Sequence, residues 1–351
     1  MSSSNKRTIP QQMPHDWEPP VPAWSSDNHH EHIFIAYYGI QTTKGKDAQE
    51  VKEFQNWIST VTSTDCDYTP LKCEYAEYTD AQGYYTWLLI GYWNKADDHE
   101  QWGSNTEFKQ YWNAPERLTA AAGVFRELLS IPAERFENLF SHESIDSGSA
   151  DVGPGHHCKK LVREHNYWGG MRDRIALSGT DPMNADAPQH RSGNTNTQGK
   201  HLTVNVPLNC AVIRSGQNFE QVGAEELARF KAEVEPYFAE GMAFLSQNYD
   251  STGCYSCRVL TETDAQGSRQ KKTFGLVHFV SLKHLEEWAK SHPTHLRIFN
   301  SFIQYATELG ADMQLRLWHE VATIPEQNPL FEYLNCHHKT GLLEILPYSE
   351  V

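Results

Sequence analysis

The five residues TDAQG occur twice in this chain, at 79–83 and again at 263–267, a shift of 184. The surroundings repeat too. KCEYAEY precedes the first copy and YYTWLLIGYW follows it; YSCRVLTE precedes the second and KKTFGLVHFV follows. Strand-forming runs on both sides of an Asp/Gly turn read as a hairpin. Each hairpin leads into a helix start that carries His and Trp, His99 with Trp102 and His284 with Trp288. Further on, SIPAERFE (130–137) is echoed by TIPEQNPLFE (323–332). Ile131 and Ile324 are 193 apart, so the second copy is longer by 193 − 184 = 9 residues. Two matching words in one order at similar shifts point to an internal duplication.

Each copy opens with a strand and an amphipathic helix. Ile33 to Ile40 reads as a strand, and Asp47 with Glu50 as a capping-box start to a helix striped by Val51, Phe54, Ile58 and Val61. In the second copy Asn209 to Ser215 reads as a strand. The helix after it is striped by Leu227, Phe230, Val234 and Phe238 and interrupted at Pro236. The order is β-α-β-β-α-β in each copy. The expected class is α+β, with two ferredoxin-like halves packed into an α+β barrel. The expected divisions are an extended Pro-rich arm (1–30), a first half (31–140), a loop-rich connector holding YWGGMRDR (141–200), a second half (201–325) and a C-terminal segment packed on the body (326–351).

Composition narrows the partners. The formal charge is −15, which disfavours nucleic acid and anionic lipid. The longest apolar stretch, Trp87 to Trp93, is far shorter than the ~20 residues that span a bilayer. No apolar signal region follows the start, so a cytoplasmic setting with reduced thiols is expected for Cys66, Cys73, Cys158, Cys210, Cys254, Cys257 and Cys336. Cys254 and Cys257 have CxxC spacing, but no second pair exists for zinc. Arg258 follows rather than His, which excludes covalent c-type haem attachment. They read as ordinary strand cysteines.

Four places carry chemistry. SHPTHLRIFNSFIQYATEL (291–309) reads as a helix with Pro293 in its first turn and an apolar stripe of Phe299, Phe302, Ala306 and Leu309. Four residues before Phe299 stands His295, projecting toward the core, while His292 is expected near the N-cap and exposed. A buried neutral imidazole must hydrogen-bond or bind metal; a core His bonded to a carbonyl and an axial iron ligand both satisfy this. In QLRLWHEVATI, Leu315, Leu317, His319 and Val321 share one strand face, so His319 points inward with a pKa range suited to proton transfer, or serves as a structural His. The copies place Arg126 opposite His319 and Lys109 opposite His295, so only the second half carries both His. Ser215 ends a strand in CAVIRSGQNF without a GxSxG elbow, which argues against hydrolase chemistry. In YWGGMRDRI, Arg172 and Arg174 flank Asp173, either to hold an anionic or polar group or as a local surface pair.

Taken together, NYWGGMRDR, IRSGQ, SHPTHLRIF, LRLWHEV and NCHHKTG resemble the aldoxime dehydratases, in order and over most of the chain. The resemblance implies non-covalent haem b, ferrous in the active form, an α+β barrel and a homodimer. The implied reaction converts an aldoxime, R–CH=N–OH, to a nitrile and water through nitrogen coordination to the iron. Matched motif by motif, it implies His295 as the axial iron ligand, Ser215 as a distal hydrogen-bond donor, His319 as the acid/base and Arg174 as a substrate-placing residue. Glu137 in RFE matches a residue that tunes the haem surroundings in some relatives. A peroxidase or chlorite-dismutase-like enzyme, or a haem-binding sensor, would fit the same barrel; a haem-free monooxygenase would need no His295.

Overall fold

The computed structural model describes residues 7–26, 31–152, 159–186, 195–326 and 330–351. Cys158 lies outside them; the other six cysteines are free thiols. The chain begins with β1 (Trp24–Ser26), β2 (His32–Thr42), α1 (Gln49–Val61), β3 (Lys72–Thr79), β4 (Tyr85–Trp93), α2 (Ala96–Gly103), α3 (Thr106–Trp112) and β5 (Gly123–Pro132). It continues through β6 (Phe136–Phe140), β7 (Lys159–Leu161), α4 (Gly170–Arg174) and β8 (His201–Val204). A second run follows: β9 (Ala211–Asn218), α5 (Ala224–Glu233), α6 (Glu235–Gln247), α7 (Tyr249–Thr252), β10 (Cys254–Thr263), β11 (Arg269–Phe279), α8 (Leu282–Ser291), α9 (Pro293–Leu309) and β12 (Arg316–Thr323). The short β13 (Leu330–Leu334) and β14 (Tyr348–Glu350) close the chain. It is a mixed fold of helices on one large antiparallel sheet.

The strand order is β14-β8-β13-β5-β2-β4-β3-β10-β11-β9-β12-β6-β1-β7 among the described residues. It reads the same outward from its middle. β5-β2-β4-β3 is answered by β12-β9-β11-β10 in reverse, and the two sets meet where β3 pairs with β10 (Glu77 opposite Thr261). The strands after each set are exchanged. β6, which follows β5, pairs with β12, and β13, which follows β12, pairs with β5.

The repeated word is turn chemistry. Asp80 Oδ1 accepts the backbone N–H groups of Gln82 and Tyr84 (both 2.9 Å), and Asp264 Oδ1 accepts those of Gln266 and Ser268 (2.9 and 2.8 Å). Gly83 and Gly267 both sit at φ +82°, open to glycine without strain.

The sheet is buried on both faces, which is why WLLIGYW is continuously apolar rather than alternating. One face of each run contributes to a shared core in which Tyr37, Leu88 and Tyr92 meet Phe274, Leu276 and Trp318. The other faces carry the helices, α1–α3 on the first run and α5, α6, α8 and α9 on the second. The shared core holds paired charges, and also Glu262, which has no ion-pair partner among the described residues and which burial raises to about 8. Arg214 bonds Glu74 (2.9 Å) and the Tyr92 hydroxyl and lies over the Phe274 ring; Arg258 bonds Glu127 (2.6 Å). His278 is fully buried, with neither ring nitrogen hydrogen-bonded, and burial pushes it down to about 3.

Several sequence expectations are corrected. Asp47 does not cap α1: the N-cap is Ala48 with no side-chain cap, and Glu50 turns instead to Lys44 (2.5 Å). The strand expected from Asn209 begins at Ala211, because Asn209 adopts φ +64°. The α9 stripe is not a core stripe throughout, since Phe299 is 41% exposed. His292 is half-buried rather than exposed; it caps α9 by accepting from the Thr294 N–H (3.3 Å) and packs on Phe244. The break at Pro236 is real: α5 stops at Glu233 and α6 starts at Glu235, with Pro236 in its first turn. No helix among the described residues is long and apolar enough to cross a membrane.

Candidate active site

β9 runs between β11 and β12, so its residues sit mid-sheet. Register aligns Val259, Gly275, Ser215, His319 and Leu139 in one row across β10, β11, β9, β12 and β6. Mid-sheet side chains under a helical layer should be covered. Ser215 is instead exposed, and Val259 is 42% exposed. On one side of this row Ile213, Val277 and Val321 pack with Leu285, Trp288 and Ile298. On the other, Leu317 joins the cluster of Phe302 and Tyr305. The helices therefore touch the sheet on both sides of the row and stand off above it, leaving a cleft.

α9 supplies the opposing wall. The His295 ring meets Trp288 edge-on, with centroids 4.7 Å apart, and lies 6.3 Å from Trp168. Its Nδ1 is buried without a partner of good hydrogen-bond geometry. Burial pushes this imidazole down to about 4, with the Ala289 backbone pulling the other way, so the ring is neutral near pH 7. Nε2 makes no hydrogen bond among the described residues. Phe299 and Ile303 (40%) lie exposed along the same helix, and Trp168 (40%) packs on Phe299 at 5.2 Å.

The connector joins the two walls. Six residues after Trp168, Arg174 leaves α4 and reaches the row: its Nε donates to Glu137 Oε2 (2.6 Å) and one terminal nitrogen lies 2.8 Å from His319 Nε2. Its other terminal nitrogen donates to the Glu164 carbonyl. Glu137 Oε1 is 3.1 Å from the same His319 Nε2. Burial raises Glu137, but Arg174 and His319 outweigh it, so its carboxyl stays below the ordinary range and ionised. His319 Nε2 thus lies against a guanidinium nitrogen and a carboxylate oxygen, while Nδ1 has no partner among the described residues. An imidazole so placed can exchange a proton through Nδ1.

Ser215, His319, Arg174 and Glu137 are therefore brought together, while His295 stands on α9, packed on Trp288. Arg172 and Asp173 do not form the local pair the sequence allowed. Arg172 makes a bidentate bond to Glu286 on α8 (3.0 and 2.7 Å), and Asp173 turns to the N-terminal arm. The first-copy counterpart of His295 is also corrected by one position. The N-caps Asn105 and His292 correspond, which places Phe108 rather than Lys109 opposite His295. The longer stretch before α9 hid this, since the shift grows from 184 at the hairpin to 292 − 105 = 187 at the N-caps. Trp168, Gly275 and Leu139 escaped the sequence reading, and Trp288 was read only as part of the repeated helix start, because their roles follow from cross-strand register and tertiary packing.

No cluster of three or more His, Cys, Asp or Glu among the described residues could cage a bare metal ion. An imidazole without a hydrogen-bond partner, with Trp168 beside it and exposed Phe299 one turn further along α9, fits a flat, largely apolar metal macrocycle.

Comparison with known proteins agrees. A crystal structure of aldoxime dehydratase in complex with butyraldoxime superposes with a TM-score of 0.86 at 31% identity, covering 97% of this chain and 93% of that one. The aliphatic aldoxime dehydratase of Rhodococcus erythropolis is 33% identical over 339 residues, 96% of this chain and 94% of its own length. The phenylacetaldoxime dehydratase of Bacillus sp. (strain OxB-1) is 28% identical over 346 residues, 97% and 95% of the two chains. Fold and site together define a lyase with haem as its cofactor. The chain belongs to the haem-containing dehydratases, whose family model matches residues 36–342.

Proposed function

We propose that this enzyme dehydrates an aldoxime to a nitrile, with His319 as acid and then base. The observation that carries this reading is the placement of His319 Nε2 between Arg174 and Glu137, in one row with Ser215. Non-covalent haem b, when bound, would supply ferrous iron, whose chemistry weakens an aldoxime N–O bond. His295, with its unpartnered ring nitrogen, is the residue that would hold it.

The chain's own residues do the rest. Hydroxide is a poor leaving group, so the oxygen must depart as water. With the Glu137 carboxylate 3.1 Å from Nε2, the imidazolium of His319 releases the Nδ1 proton to that oxygen. The emptied Nδ1 then takes the C–H proton as the nitrile forms, so one proton leaves and one returns. Ser215 Oγ donates to the departing oxygen, and the Arg174 guanidinium stabilises charge developing on it. The apolar residues Val259, Leu139 and Phe299 exclude water from an alkyl or aryl-alkyl substituent.

The scaffold reading goes with this. The mirrored strand order supports two ferredoxin-like copies, 31–140 and 201–325, wrapped as an α+β barrel about one haem, with the arm (1–30), connector (141–200) and C-terminal segment (326–351) packed around them. We read the enzyme as a cytoplasmic homodimer with a small-molecule substrate and no nucleic-acid or membrane partner. The test is anaerobic turnover: haem-loaded, dithionite-reduced protein is given short alkyl and aryl-alkyl aldoximes and assayed for nitrile by gas chromatography. Nitrile formation that needs reduction is expected; none from any aldoxime overturns the reading.

A further inference from the structure

We propose that Asp173 is a positioning residue through which the N-terminal arm sets Arg174 against His319, making the arm a working part of the active site. This rests on the reading of Arg174 and His319 above. Asp173 is the least exposed partner in its neighbourhood, with its side chain 1% exposed. Its carboxylate faces away from both flanking arginines and accepts the backbone N–H of Gln12 (2.8 Å to Oδ2), that of Met13 (3.0 Å) and the Tyr167 hydroxyl (2.8 Å). A carboxylate that collects main-chain N–H groups from a remote segment fixes that segment strongly, because these bonds are charge-assisted.

The surface beneath the arm is shaped for it. A Cβ on Gly169 would fall 2.5 Å from the Gln12 side chain, and Gly169 itself stands at φ +105°. A Cβ on Gly179 would fall 2.8 Å from Arg7, and the Gly179 carbonyl accepts the N–H groups of Thr8 (2.8 Å) and Ile9 (2.9 Å). Trp17 Nε1 donates to the His165 carbonyl (3.1 Å), and its ring meets Tyr167 edge-on at 5.6 Å. The arm therefore clamps both ends of the turn of helix that carries Arg174.

The three consecutive charged residues of that turn point three ways. Arg172 ties it to α8, the helix leading into His295; Asp173 ties it to the arm; Arg174 reaches His319. A turn of five residues has little rigidity of its own, so the guanidinium is only as well placed as these two ties make it. A misplacement of about 1 Å at such a group can cost ~100-fold in rate.

The test uses haem-loaded protein and two changes that reach the turn from opposite sides, Asp173→Asn and removal of residues 1–13. Each is expected to keep the Soret band and thermal midpoint while lowering kcat roughly 10-fold or more, with KM moving less. In an Arg174→Gln background Asp173→Asn should change kcat by no more than about twofold, since the group it positions is gone. Equal losses in both backgrounds, or full activity of Asp173→Asn in the native background, overturn the proposal. Should Asp173→Asn fail to fold, the arm deletion reads the same link. A second readout needs neither haem nor turnover. The charged groups facing His319 are Glu137 from β6 and Arg174 from α4. Moving the guanidinium away loosens its contacts to Glu137 and His319, so the Arg174 Nε–H resonance, followed by NMR, should shift in Asp173→Asn. An unchanged resonance also overturns it. Failure of the unaltered enzyme to make nitrile would instead refute the aldoxime reading.

Discussion

The two runs lay out matching rows beneath their helices and fill them in opposite ways. In the second run the row is Val259, Gly275, Ser215, His319 and Leu139; the same register in the first reads Tyr75, Leu89, Tyr38, Arg126 and Glu332. The correspondences keep the shifts found in the sequence, 259 − 75 = 184 and 319 − 126 = 193. Tyr38 bonds His99 Nε2 (2.8 Å), and its ring is met edge-on by Trp102, Phe108 and Trp112. Arg126 pairs with Glu332 and lies over Trp112. Where α9 presents His295, α3 presents Phe108, 2% exposed. One copy is a packed aromatic core; the other is a cleft. At matching register positions the first run carries bulky, partnered side chains and the second carries small or polar ones, over a backbone that holds a sheet under helices in both.

The strongest way to break this contrast is to put the first run's residue into the second. His295→Phe should leave a folded protein that carries no haem through a desalting column and shows no Soret band. His319→Ala should keep haem and lose ~10²–10⁴ in kcat; near-normal nitrile formation would remove His319 from the chemistry. The converse trimming, Tyr38→Ala, should cost about 3–5 kcal/mol in denaturant unfolding and open a cavity, yet confer no second haem, because Phe108 and Arg126 remain.

A smaller effect concerns acid. His278 and His99 both fall to about 3 through burial. Between pH 6.5 and 3 the unfolded chain therefore binds protons that the folded one refuses, and stability falls as pH drops through that window. His278→Leu should flatten the slope by up to about 1.4 kcal/mol per pH unit, read from urea midpoints across pH. The smallest difference lies in the two turns. Asp80 also bonds His337 Nε2 (2.7 Å), an addition Asp264 lacks among the described residues. Asp80→Ala should lower the melting temperature by more than Asp264→Ala does.

Local chemistry made much of this legible beforehand. The hairpins, the α1 stripe and the break at Pro236 depend on turn residues and periodicity within a few positions, and they stand where expected. Motif resemblance singled out Ser215, His319, Arg174, Glu137 and His295, and the fold brings Ser215, Arg174 and Glu137 to the His319 imidazole. What could not be read depends on distant partners. Phe299 looked like core because periodicity marks an apolar stripe but not what covers it; its ring contact is Trp168, from the distant connector. Asp173 looked like the mate of its neighbours because the N-terminal arm, some 160 residues earlier, is adjacent only in space. The pairing of Arg214 with Glu74 inside the shared core likewise needed the sheet's curvature, which no window of sequence contains.

The exchange of β6 and β13 has a bearing on synthesis. β5 ends at Pro132, but the strand that covers its outer edge begins at Leu330, 330 − 132 = 198 residues later. At ~5–20 residues per second a ribosome needs about 10–40 s to deliver it. For that interval the nascent chain holds an uncapped β-edge, and Arg126 and Glu127, side by side in it with their partners Glu332 and Arg258 still unmade, keep charge where another chain would otherwise dock.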